Sequence, residues 1–311
     1  MRVTFATSYD KMIQNLNTKK ESLDRLTTMM TSGKRLLSPQ DDPFAWSQAL
    51  NMKHGLKELD SFNTNLDFAA NWHETTEVAL GSLSELLIRA QEIAIGAIKP
   101  FSPEEQTANA DELEQIFQEA LQIADTRYDG LYVFSGWYED DGMGNMVLGA
   151  SDPPFDSNLD YQGTTGSLEV RTGKSSRATV NLNGDSVFSI TNPSTGLPTN
   201  VLKELAALRD AVRDSITSGD VQPIEDSLQL IETSQQQITS QRALVGTRLT
   251  SLERQQDALA DLTLSQQGRF AEITEADYLE VVTQLQQKQT AFEAALQVTS
   301  MLDDLNLLKF L

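Results

Sequence analysis

The chain contains no cysteine. That excludes a disulfide scaffold, a thiolate metal centre and a cysteine nucleophile. Histidine is nearly absent too. His54 and His73 stand too far apart along one helical stretch to share a metal, and the spacing makes His73 a packed seam residue rather than a ligand. Basic residues are outnumbered, 24 against 45 acidic, for a net charge of −21. A broad phosphate-neutralising surface is therefore missing, which argues against nucleic acid as a partner. The same charge opposes adsorption to an anionic membrane. An acidic surface keeps copies soluble and apart, as an assembling protein needs before assembly, although simple solubility needs it as well. No run of about 18 apolar residues exists to cross a membrane. The opening Met1-Arg2-Val3-Thr4-Phe5-Ala6-Thr7-Ser8 has no apolar core or small-residue cleavage site of a secretory signal. The compartment expected from these features is the cytoplasm, unless another export route applies.

Proline and glycine are scarce where they would break helices. The nine prolines leave 1–38, 44–99, 104–152 and 224–311 untouched, and nine of the seventeen glycines fall between Gly130 and Gly184. Long helix-permissive stretches thus flank a glycine-rich middle. The first stretch repeats apolar residues at three and four: Tyr9, Met12, Leu16, Leu23, Leu26 and Met30, with Lys19 in the one polar place. That is a coiled-coil seam. Pro39 and Pro43 end it around Ser38-Pro39-Gln40-Asp41-Asp42. A second helix is predicted to about Lys99, with a seam through Leu56, Leu59, Leu66, His73, Leu80, Leu83, Leu87, Ala90 and Ala94. A third begins after Ser102, with Pro103 first and Glu104 and Glu105 in the first turn, and runs to about Arg127.

The middle reads as β structure. Leu131–Phe134, Leu168–Arg171, Ala178–Leu182 and Val187–Ile190 are strand-like, with Asn183-Gly184 expected as a tight hairpin turn. Helices return after Pro198, with Thr199 or Asn200 as cap and an end near Ser218. Another opens at Pro223 and runs to about Gly268 through Ile231, Ile238, Val245, Leu249, Leu252, Leu259 and Leu262. A last helix starts near Glu275, with a seam of Tyr278, Val282, Leu285, Phe292 and Leu296, and Gln289 and Thr299 as polar places. The expected fold is mainly α: long antiparallel helices in a coiled-coil-like bundle with a small inserted β domain. Its parts are 1–40 with 270–311 as a terminal helical domain, 41–140 with 196–269 as a bundle, and 141–195 as a β-rich insertion. Residues 145–190 are expected to be removable as a unit.

The two ends differ in charge. Residues 1–37 hold seven Lys or Arg and three Asp or Glu, a net of +4, while 269–311 hold three and seven, a net of −4. Two amphipathic ends of opposite charge should pair with each other rather than with their own kind. Burying six seam residues does not offset the entropy of ordering the whole N-terminal stretch, so the ends should order only when partners cover them. Catalytic patterns are missing. Gly173-Lys174-Ser175 has Leu168 where a phosphate loop needs its first glycine, and so reads as a hairpin tip. Asp140-Asp141-Gly142 lacks the alternating ligands of a calcium loop and reads as an acidic turn. Neither a cofactor nor a metal is expected, and the pattern is that of an assembling subunit or a cytoplasmic coiled-coil scaffold, not an enzyme.

The ends carry a resemblance. Asn15-Leu16, Leu23 and Leu26 lead into Thr31-Ser32-Gly33-Lys34-Arg35-Leu36 and Asp41-Asp42-Pro43. Val245-Gly246-Thr247-Arg248-Leu249, Asp277-Tyr278, Leu285 and Leu305-Asn306-Leu307-Leu308 follow at the other end. Together these resemble the terminal signatures of bacterial flagellins and their hook-associated relatives, over roughly 1–140 and 220–311. Met1-Arg2-Val3 with Tyr9, Asp41-Asp42-Pro43 and Gly130-Leu131-Tyr132-Val133-Phe134-Ser135-Gly136 are more similar to the hook-associated members, which leaves a short flagellin as the alternative. The resemblance implies an exported structural subunit, extracellular without a cleaved signal peptide, that leaves unfolded through the flagellar type III apparatus. It implies paired terminal helices in an inner tube, the seam of Tyr9, Met12, Leu16, Leu23, Leu26, Met30, Tyr278, Val282, Leu285, Phe292 and Leu296 lying between subunits, and an insertion facing solvent. The implied partners are copies of the chain itself, hook-associated protein 1, flagellin and a flagellar export chaperone.

Overall fold

The computed structural model describes residues 2–99, 102–137 and 152–307; side chains are described from residue 7 to 301, apart from Ser8 and Tyr9. Among the described residues the chain is mainly α, with seven helices: α1 (Arg2–Ser32), α2 (Pro43–Ala97), α3 (Pro103–Ala124), α4 (Gly184–Phe188), α5 (Val201–Ser218), α6 (Gln222–Thr274) and α7 (Tyr278–Leu307). Six short strands form three antiparallel ribbons: β1 (Arg127–Tyr128) with β2 (Leu131–Tyr132), β3 (Glu169–Arg171) with β4 (Arg177–Thr179), and β5 (Ser189–Thr191) with β6 (Pro198–Asn200). The acidic turn expected at Asp140–Gly142 lies outside the described residues. The chain divides into two compact units, one of residues 1–58 and 261–311, the other of 59–260. The divisions fall within α2 and α6.

Residues 59–260 hold the large core. Along α6 the residues Ile224, Ile231, Ile238, Val245, Leu252 and Leu259 are all buried. Their unbroken seven-residue step keeps one stripe on the partner helix, the patterning of a left-handed coiled coil. Leu249 is half-buried and Leu262 exposed. The partner stripe on α2 runs through Leu66, Ala69, Trp72, His73, Thr76, Leu80, Leu83, Leu87, Ala90 and Ala94. Cross-contacts fix the direction: Gln235 Nε2 donates to Ser84 Oγ at 2.7 Å, Arg242 pairs with Glu77 at 2.7 Å, and Gln256 Nε2 donates to Asp67 Oδ1 at 2.8 Å. Rising numbers on α6 meet falling numbers on α2, so the two helices are antiparallel. α3 returns along α2 by the same logic, with Gln106 Nε2 donating to Ala97 O and Arg89 paired to Glu112.

Helix starts follow their caps. Ser102 and Glu105 form a reciprocal capping box ahead of Pro103. Asn200 caps α5 through Lys203 N, and Gly219, at φ +67°, ends it in the left-handed region. α6 continues past Gly268 to Thr274, since a lone glycine costs a helix only about 1 kcal/mol and seam packing covers that.

The β-rich segment departs from expectation in several places: the strands are shorter, and Val187 and Phe188 lie in α4 rather than in a strand. Asn183-Gly184 makes no hairpin; the Asn183 side chain accepts from Ser186 N and starts the short helix α4. Gly184 is there for closeness, because a Cβ would meet the Tyr161 ring at 2.5 Å and Phe134 O at 2.6 Å. The tight turn belongs to Asp129-Gly130, both at positive φ, joining β1 to β2. The tip at Gly173-Lys174-Ser175 does lie between β3 and β4.

This segment also shares the helical core. Val180, Leu182, Val187, Phe188 and Ile190 are buried in one cluster with the α2, α3, α5 and α6 stripes. Phe188 stacks edge-on against Phe134 and Phe155. Asn65, Gln237 and Arg248 from the long helices donate to Arg171 O, Ser186 O and Asn181 O. His73, fully buried, meets Thr179 O through Nε2 at 3.0 Å.

Candidate assembly site

The sequence places its candidate residues at the two ends, and the structure brings those ends together in the unit of residues 1–58 and 261–311. α1 and α7 pair antiparallel. Leu26, Val281 and Leu285 form a small buried cluster edged by Leu23, Met29, Met30 and Ala276. Met12, Leu16 and Lys19 are half-buried, as are Val282 and Phe292. Tyr278 and Leu296 are exposed on the same helix, at 62% and 46%. Tyr9 belongs to α1, and its side chain lies outside the described residues. The buried and half-buried face of α7 keeps Leu285, Phe292 and Thr299 of the predicted seam and adds Val281 and Ala295. Val281 was missed because it adjoins Val282, and either valine satisfies a three-four spacing.

The loop between α1 and α2 explains its own residue choices. Gly33, at φ +66°, ends α1 in the conformation that favours glycine. Lys34 then forms an isolated antiparallel bridge with Glu275. Arg35 N donates to Thr274 O at 2.8 Å, and Ala276 N to Gly33 O at 3.0 Å. The Arg35 guanidinium donates to Ile273 O at 2.9 Å, a cation on the C-terminal carbonyls of α6. Leu36 turns inward against Ala45, Ala49, Trp46, Phe270 and Ile273.

Asp41, Asp42 and Pro43 divide the remaining work. Asp41 Oδ2 accepts from Ser38 N and Leu37 N at 2.9 Å each, and Oδ1 faces Arg25 at 3.0 Å. Those backbone donors, Ser38 first and then Leu37, hold the carboxyl below its ordinary range. Asp42 Oδ1 accepts from Ala45 N, which makes Asp42 the cap of α2, with Pro43 at the first helical position. A resemblance carried by Ser32–Leu36 and Asp41–Pro43 is thus a folding unit: one helix stop, one cross-bridge, one loop clamp and one helix start.

Two features of this unit bear on how its surface is used. Of the fifteen exposed large apolar residues among those described, ten lie in it, including Ile13, Phe44, Leu264, Tyr278, Leu279 and Met301. Exposed large apolar residues are thus more frequent in this unit than in residues 59–260. Among the described residues no ion pair joins α1 to α7.

Residues 4–139 match the family described as the bacterial flagellin N-terminal helical region. Flagellar hook-associated protein 3 of Escherichia coli K12 is 21% identical over 99% of this chain and 98% of its own length. The chain's likeness lies with the bacterial flagellin family and, from end to end, with hook-associated protein 3. Flagellins match a smaller part, 26% identical over 44% of the chain and 27% of a Salmonella relative. Among solved structures, a Vibrio parahaemolyticus chain described as flagellar hook-associated superposes with TM-score 0.66 at 17% identity, over 76% of this chain and all of that one. The flagellar junction protein FlgL of Legionella pneumophila does so with TM-score 0.55 at 16% identity, over 72% and 100%. The two solved structures share this chain's fold over the parts that superpose.

Among the described residues there is no group of three or more His, Asp or Glu that could hold a metal, and no helix is long and apolar enough to cross a membrane.

Proposed function

We propose that the chain is a structural, non-catalytic subunit of the bacterial flagellum that joins the hook-associated zone to the flagellin filament as a short ring. The observation that carries this is the end-to-end likeness to hook-associated protein 3, set against a match to flagellins that covers 44% of the chain. In this reading residues 1–40 with 270–311 form the inner-tube domain, 41–140 with 196–269 the bundle, and 141–195 the outward part. Tyr278 and Leu296 of the predicted seam, exposed in the single chain, then lie between subunits, while Leu26 and Leu285 hold α1 to α7 within one chain. Copies of itself, hook-associated protein 1, flagellin and an export chaperone are the partners. Export through the flagellar type III route places it outside the cell without a cleaved signal.

Deletion of the gene tests the reading. The expected phenotype is a hook that carries no filament, restored by the intact gene, while flagellin is secreted into the medium. Purified protein should form no long filaments; extended polymers from this chain alone would instead make it a flagellin.

A further inference from the structure

The unit of residues 1–58 and 261–311 carries a groove and a knob that its own chain leaves unmatched. The groove lies between the start of α2 and the end of α6, floored by Trp46, Ala49, Leu50 and Phe270 and flanked by Lys34 and Lys53. Leu50 is 49% exposed, and among the described residues no carboxylate forms an ion pair with either lysine. The knob is the first turn of α7. Leu279 is 79% exposed and Tyr278 62%, so neither fills the groove of its own chain. Asp277 and Glu280 flank it. Asp277 Oδ1 already accepts from Leu279 N and Glu280 N, which fixes the turn that presents the two apolar side chains.

We propose that the groove receives the Tyr278–Leu279 knob of a second copy of this chain. Charge decides the occupant: a groove rimmed by two lysines takes an apolar knob rimmed by two carboxylates. Groove and knob are different surfaces of one chain, so the contact is head-to-tail. Repeated, such a contact closes a ring or winds a helix and does not stop at a dimer. The inference rests on the junction-ring reading and adds to it the residues that pass the contact from one subunit to the next.

The absence of native cysteine makes a direct test possible. Leu50→Cys and Leu279→Cys are exposed single substitutions that leave the buried cluster intact. Both variants are expressed together, and each alone, in a strain lacking the native gene. Flagella are sheared off, treated with a mild oxidant and run on a non-reducing gel. The expected result is a covalent dimer of twice 34.4 kDa from the mixture and none from either variant alone. Dimers from one variant alone would mean that like surfaces meet, and no dimer in filament-bearing cells would mean that the groove faces elsewhere; either overturns the proposal while leaving the junction reading intact. A charge exchange checks the rim. Lys53→Glu should abolish filament attachment and Glu280→Lys in the same chain should restore it; failure of the double variant, when both single variants are exported, counts against this pairing.

Discussion

His73 shows how much one buried side chain can report. Its Nε2 reaches Thr179 O, so that nitrogen carries the proton, and Nδ1 has no partner. Protonating Nδ1 would bury an unpartnered cationic N–H, and burial accordingly holds the ring's pKa below its model-compound value of 6.5. As pH falls below about 6.5, the unfolded chain takes up a proton that the folded chain refuses. Stability is therefore full above that pH and declines below it, by at most about 1.4 kcal/mol per pH unit from this group. Denaturant melts of the wild type and His73→Gln should converge as pH falls from 7 to 5, because Gln keeps a donor for Thr179 O and does not titrate; parallel pH profiles would show that His73 is charged in the fold. The identity of this residue as a seam position could be read from its spacing. Its partner, a strand carbonyl far along the chain, could not.

At the scale of the helix pair, α1 and α7 hold each other through few buried residues. Leu285 belongs to a cluster separate from the large core of residues 59–260. Leu285→Asp and Leu16→Asp are therefore expected to abolish assembly while the main thermal transition stays nearly unchanged, since each sets an unpaired carboxylate in a packed seam without touching that core. Normal filament growth by either variant would remove its residue from the seam. The sequence resolved this pair to its face but not to which valine it buries. Val281 and Val282 offer the same apolar character one residue apart, and only the approach of Leu26 from α1 selects Val281 as the buried one. The cluster of Leu36, Trp46, Phe270 and Ile273 was invisible for a related reason: it joins single residues from a loop and two helices, with no period to reveal it.

For the whole molecule, the two units should differ in stability. Residues beyond the large core have sparse buried contacts, and such regions open at low free energy. Hydrogen exchange on the free monomer should leave residues up to about 35 and beyond about 275 unprotected while 44–130 is protected; protection at both ends would show that the terminal helices order without partners. The β-rich segment has the opposite prospect to the one its glycine content suggests. Removing 145–190 would strip Val180, Leu182, Val187 and Phe188 from the shared core, and losing Phe188 alone is worth about 3–5 kcal/mol. The deletion, joined by a short Gly-Ser linker, is expected to yield protein with a broadened or lowered melting transition, whereas an unchanged transition would restore the view of a detachable module. The sequence by itself determined the long helices, the cap at Ser102 and the strong stripes, because those depend on proline, glycine and spacings of three, four and seven. The resemblance at its ends needed no coordinates either. Tertiary structure alone decided that Asn183-Gly184 starts a helix, that Val281 is the buried valine and that the β-rich segment lies in the common core. Each of those outcomes depends on which distant side chain arrives at the spot, and local pattern carries no information about arrivals.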